Sequence, residues 1–344
     1  MILRFKIFLV AFLALCFIVC ASLIIPDDTA LIDNTDRVFK VLESLGHNGT
    51  DHFPDTEIFG VSAKRGRQLV EEGFSTRPGG GKTRKQSKHF VCTSCHNVEK
   101  EDPDLRFSDP QARLEYTASK GLPFLQGTSL YGAVNREKFY NGDYYKKYGD
   151  LVVPARDNIR EAIQLCAVEC AQGRRLKPWE IESVLAYLWT IDLKISDLNM
   201  DDDQLSFVDR ALKNRSLKDS SVALIKSRYL DYSPAHFVTA QESREAAVSV
   251  EGNTENGALI YDNSCLHCHE NQRYSYFHLD DSKISFKYLK RKEDSYTDHS
   301  IYQVTRYGVK SVSGRRSYMP QYPIEKMSDQ QLQDLRAYIN ERAD

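Results

Sequence analysis

The pentapeptide Cys-x-x-Cys-His occurs twice, as Cys92-Thr-Ser-Cys95-His96 and as Cys265-Leu-His-Cys268-His269. This is the attachment signature of c-type haem. Two thiols three positions apart add across the two vinyl groups of one porphyrin, and the next residue presents an imidazole to the iron. Two copies predict two covalently bound haem c groups, with His96 and His269 as proximal ligands. A Cys-x-x-Cys pair is also half of a zinc site, but paired halves lie about 15–20 residues apart, whereas Cys95 and Cys265 fall in different halves of the 344 residues. Neither motif follows a strand in a βαβ pattern and both carry the His, which disfavours thiol–disulfide exchange.

The length suits two domains. A net charge of −2 and a pI near 6.5 exclude a dedicated nucleic-acid binder. Hydrophobic content of 41% with 27% charged residues reads as a soluble globular body once the N-terminus is set aside. There, Arg4 and Lys6 precede an apolar run from Ile7 to Ile25 that Pro26-Asp27-Asp28 ends. A basic start and an apolar core form an export signal, with a small-residue cleavage position after Ala21; the run is also long enough for a retained anchor. Residues 1–25 are therefore a signal peptide or an N-terminal membrane anchor, and the remainder is expected in the periplasm, where c-type haem is attached. Of eight cysteines, Cys16 and Cys20 lie in this segment and four hold haem, which leaves Cys166 and Cys170.

The expected fold is all-α: two tandem cytochrome c-like haem domains, at 55–195 and 246–344, joined by a partly helical bridge at 196–245. In the second, a helix around Gly257–Tyr261 leads into the motif. Ser328 and Gln331 form a capping box, and Leu332, Leu335, Tyr338 and Ile339 follow at helical spacing. Between them, Met319-Pro320 stands in a loop that holds a thioether over the open haem face. The order helix, motif, Met-Pro loop, helix resembles class I cytochrome c over residues 246–344, and the resemblance implies His269 and Met319 as axial ligands.

The first domain reads as a helix from Ala63 to Gly73, a Gly-rich basic surface loop from Arg77 to Lys88, and the motif. A long insertion to about Tyr131 follows, and a closing helix runs from Pro178 to Ile191 with Ile181, Val184, Leu185, Leu188 and Trp189 inward. No Met lies between His96 and that helix. The distal ligand is sought among Cys166, Cys170, His47, His52, His89 and a lysine. Cys166 and Cys170, four apart in a helical pattern, share a face, and Cys166 is placed ahead of Cys170. The alternatives are a Cys166–Cys170 disulfide or two core thiols.

Val134-Asn135-Arg136, Phe139, Tyr144-Tyr145 and Cys166 with Gly173 resemble the first haem domain of the thiosulfate dehydrogenase (tetrathionate-forming) family over residues 90–190. The resemblance implies a Cys/His haem first, Cys166 as its ligand, and a Met-ligated haem second. The chain departs from it at Glu169-Cys170-Ala171-Gln172, where the family has Arg-Ser-Met-Asn; an acid beside an anion site disfavours thiosulfate.

Unlike ligands imply unlike potentials, because a thiolate stabilises ferric iron and a thioether favours ferrous iron. Electrons are expected to enter at the first haem and leave at the second, between a periplasmic donor protein and a respiratory acceptor. The alternative is an oxidoreductase acting on a small sulfur anion at the first haem, with Cys166, Arg136 and Arg174 at the site. A di-haem peroxidase has no support beyond the haem count. His267 is expected to point outward, and His236, His278 and His299 to be surface or core residues.

Overall fold

The computed structural model describes residues 32–47, 52–247, 250–309 and 319–344. The export segment with Cys16 and Cys20, and Ser317-Tyr318 before Met319, lie outside the described residues. Among those described, all regular structure is helical, with isolated bridges but no strand, and no helix is long and apolar enough to cross a membrane. The fold is all-α.

Helix α1 (Val38–Ser44) is followed by α2 (Ala63–Glu72), which starts on the Ser62 side chain and ends at Gly73 with φ +72°, a left-handed cap that glycine adopts without strain. In the insertion after His96, α3 (Pro110–Lys120) carries Asp109 as N-cap, Pro110 in its first turn and Gly121 as a left-handed C-cap. Helix α4 (Gly142–Tyr148) precedes α5 (Ile159–Leu165), which runs on as one wide π turn over Cys166–Cys170. The closing helix α6 (Pro178–Leu188) stops three residues short of the expected Ile191. Trp189 turns inward there, its indole donating to the His52 carbonyl at 2.9 Å. Val184, Leu185, Leu188 and Trp189 are buried as expected and Ile181 is half-buried.

The bridge forms α7 (Asp202–Lys213) and α8 (Lys218–Lys226). Their Val208, Ala211 and Ile225 pack with Val38, Val41 and Leu42 of α1 in a separate small core. Beyond α8 the chain runs between the N-terminal and C-terminal units. Phe237 packs edge-on against Tyr144 on one side, and the His236 carbonyl accepts from Ile324 N on the other.

The C-terminal unit comprises α9 (Thr254–Ile260), a second π turn (Tyr261–Cys265), α10 (Lys283–Asp294), α11 (Ile301–Tyr307) and α12 (Asp329–Ala343). The Ser328/Gln331 capping box closes at 3.0 and 3.2 Å. Each unit crosses its first helix on its last, α2 on α6 and α9 on α12. A glycine makes each crossing: a β-carbon on Gly66 would overlap the Ser183 carbonyl, and one on Gly257 that of Asp334.

The insertion does not stay with its own unit. Leu114 and Phe124 belong to the C-terminal core, Phe124 N donates to Asn263 O at 2.8 Å, and Gln331 donates to Pro110 O at 2.8 Å. The first unit thus supplies part of the second unit's core.

Candidate redox centres

Each motif opens onto a cavity, and the imidazole that ends each motif is aimed by a backbone carbonyl. His96 Nδ1–H donates to Thr128 O at 2.7 Å and His269 Nδ1–H to Phe277 O at 3.0 Å. That tautomer leaves Nε2 as the free lone pair, the arrangement a metal-binding histidine needs. Burial lowers the pKa of both imidazoles, which keeps them neutral and able to ligate. Gly127 lets the chain pass His96 closely, since a β-carbon there would lie 2.6 Å from the ring. All four motif cysteines are free thiols, available for thioether formation.

The second cavity, about 390 Å³, is walled by Cys265, Cys268, His269 and Met319 together with apolar residues of α11 and α12. This volume is in the range of sites that enclose a small molecule. Met319 is held by a two-hydrogen-bond bridge to Val309 at 3.0 and 3.2 Å. Gly308, at φ +68°, permits it, because a β-carbon there would overlap the Met319 carbonyl. Tyr322 further pins the loop, its hydroxyl paired with Ser264 at 2.6 Å and its N–H donating to Thr305 O at 2.8 Å. His299 also lines this cavity. His267 does not point outward as expected: it lines an open cleft between the two motifs, with Nε2 enclosed.

The first cavity is smaller, about 220 Å³, and its wall includes Cys92, Cys95, His96, Cys166 and Cys170. Cys166 and Cys170 are free thiols, not a disulfide. The π turn that carries them is a frequent device at functional sites. Tyr148 Oη lies 3.3 Å from Cys170 Sγ, and the two sulfurs share a hydrogen bond that raises the Cys166 pKa and lowers that of Cys170. Tyr148 and the Lys147 ammonium add to the lowering at Cys170. In the chain alone, Cys170 therefore ionises first. His47, His52 and His89 do not line this cavity, whereas Lys147 does; His52 instead pairs with the Arg136 carbonyl at 3.0 Å.

The two arginines part company. Arg136 reaches the cavity wall, its guanidinium donating to Ser129 O at 3.1 Å, and burial lowers its pKa. Arg174 does not: Glu180 neutralises it at 2.6 Å, on an outer face. Tyr144 forms one ladder along the first cavity with Tyr140 and Tyr148, two residues that sequence reasoning did not single out. Their i, i+4, i+8 spacing was the available signal.

The residues present fit haem c at both cavities: paired thiols, an imidazole with its Nε2 free, and a sulfur donor in the same wall. Residues 252–339 match the family model for cytochrome C oxidase, cbb3-type, subunit III, which covers well under half of the chain. No curated protein and no solved structure matches. The C-terminal unit is a cytochrome c domain with covalently bound haem c, and its role is haem-based electron transfer.

Proposed function

We propose that the chain holds two haem c groups and carries electrons in the periplasm from a donor protein to a respiratory acceptor. The observation that carries this reading is the shared wall. Phe90 and Gln126 line both cavities, as does Pro320, and Cys95 lies close enough to Cys268 for the two thiols to interact electrostatically. Haem c supplies one-electron exchange at iron when bound. Everything else is set by the chain. His96 with Cys166 would hold the iron of the first group, and His269 with Met319 that of the second. Cys170, already engaged by Tyr148, then keeps the shared proton and donates to the ligating sulfur. An anionic thiolate at one site and a neutral thioether at the other place the lower potential first, so electrons run from the N-terminal site to the C-terminal one. Export through residues 1–25, as a cleaved signal or a retained anchor, supplies the compartment where haem c is attached.

The test is the mass of the purified holoprotein with low-temperature EPR of its oxidised form. The expected result is two added haems and two low-spin signals, one thiolate/His and one Met/His. One haem, or two signals of a single type, overturns the reading.

Arg136 and Lys147, two half-buried cations that line the cavity with Cys166 and Cys170, favour a second reading: oxidation of a small sulfur anion at the first site. Arg136 serves equally to neutralise a haem carboxylate. Turnover of thiosulfate or tetrathionate by the di-haem protein would establish this reading, and its absence with an intact spectrum would remove it for those substrates.

A further inference from the structure

The basic Gly-rich loop is not used by either cavity, yet it is built with care. Residues 75–83 form a hairpin in which Thr83 N donates to Ser75 O and Arg77 N to Gly81 O, both at 2.8 Å. It turns at Gly80 and Gly81 with φ +94° and +77°. A second segment is stitched beside it: Arg174 N donates to Gln86 O at 2.8 Å, and the Arg174 guanidinium donates to the Arg84 carbonyl at 3.2 Å. Along the seam lies a cleft of about 470 Å³ whose lining includes Arg77, Arg84, Arg174, Arg175, Lys177 and Trp179.

The charge here is uncompensated. Glu180 is the carboxylate in the cleft lining, and it is committed to Arg174 at 2.6 Å. Among the described residues, no carboxylate forms an ion pair with Arg77, Arg84, Arg175 or Lys177, and all four side chains are exposed. Lys82, Lys85 and Lys88 extend the patch along the same segment and are exposed too. In a chain of net charge −2 this is a strong local excess of one sign.

The same two segments face the first cavity with their other side chains. Gln86 and Phe90 from one, and Ala171 and Leu176 from the other, line it. The cations therefore surround an outer wall of the first redox centre. They stand on separate segments and are solvated, which suits a broad acidic surface more than a small chelated anion. Charges so arranged steer an oppositely charged protein into register and raise its association rate.

We propose that this face docks the electron donor, and that the donor presents an acidic protein surface to it. The proposal rests on the reading that electrons enter at the first site. The test uses full-length holoprotein and a fluorescent poly-glutamate peptide as probe. An Arg84→Gln, Arg175→Gln, Lys177→Gln variant should lose roughly tenfold or more in peptide affinity, and the wild-type affinity should fall with added salt. A control variant on α7 and the turn after it, Arg210→Gln, Lys213→Gln, Arg215→Gln, should bind like wild type. In rapid mixing, anionic iron(II)–EDTA should reduce the patch variant more slowly than wild type, and cationic hexaammineruthenium(II) should not.

Unchanged peptide affinity in the patch variant overturns the proposal. So does equal loss in the control, or tighter binding to phosphatidylglycerol vesicles than to the peptide. Haem count and both midpoint potentials, measured on the same samples, separate the two levels. Two haems of unequal potential with patch-independent binding refute the docking face alone, whereas a single haem refutes the reading beneath it.

Discussion

At the scale of single residues, the chain prepares sulfur at both sites by different means. Met319 is positioned by backbone: the Val309 bridge holds it, and Gly308 leaves room for the two segments to meet. Gly308→Ala combines a positive φ with an overlap on the Met319 carbonyl, so the bridge must open. The expected outcome is loss of the methionine-to-iron absorption band of the oxidised protein with haem still covalently attached; a retained band would mean the bridge is not what places the thioether. The cysteines are positioned by a wide helical turn and distinguished by their neighbours. Cys166→Gly should abolish the thiolate signal of the first haem. Cys170→Gly should keep that signal and shift it, because the donor to the ligating sulfur is gone. The reverse pattern in EPR would exchange the two roles.

At the scale of elements, both units rely on one helix crossing made by a glycine. Gly257 sits against the Asp334 carbonyl and Gly66 against that of Ser183. Gly257→Ala must push α9 off α12, at a cost of about 1–3 kcal/mol from overpacking, which denaturant unfolding would read; a variant as stable as wild type would mean that the crossing relaxes freely. The motifs, the capping box at Ser328, the apolar face from Leu332 to Ile339 and the placement of Met319 in a loop were legible because each is local in sequence. The crossings were not, although the glycines were in plain view, because the carbonyl each one meets lies across the fold. The same reason hid the shared wall of Phe90 and Gln126. It also hid the insertion's allegiance: Asp109, Pro110 and Gly121 announce a helix, but nothing near them in sequence says that Leu114 packs with Phe286 and Ile260 in the other unit's core. Arg136 and Arg174 looked alike as sequence, and the fold separates them: one reaches the first cavity, and the other is paired with Glu180 on an outer face.

At the scale of the whole molecule, the two units are joined by a carboxylate with four donors. Glu101 Oε1 accepts from Lys326 Nζ and Ser129 N, both at 2.9 Å, and Oε2 from Arg113 Nη2 and Asn97 Nδ2, both at 3.1 Å. Glu101, Arg113 and Lys326 are each at most 3% exposed. Asn97 follows His96, Ser129 follows the carbonyl that aims His96, and Lys326 ends the loop that begins at Met319. One buried charge cluster thus ties the segment that carries His96 to the one that carries Met319. Burial works to raise the Glu101 pKa, but Arg113 and Lys326 outweigh it and hold the group well below the usual carboxylate range. Breaking such a pair from one side leaves a charge uncompensated, so Lys326→Met should cost about 3–5 kcal/mol. The sign of the pH dependence follows from the depressed value. The unfolded chain binds the proton more readily, so the cluster's contribution is complete above the ordinary glutamate value of 4.5 and declines as pH falls below it. Melting temperature should drop on acidification from about pH 5 to about pH 3, and Glu101→Gln, less stable at neutral pH, should flatten that slope. Parallel slopes in the two proteins would place the acid sensitivity elsewhere. If the cluster is what couples the units, the variant should also melt in two steps where the wild type melts in one.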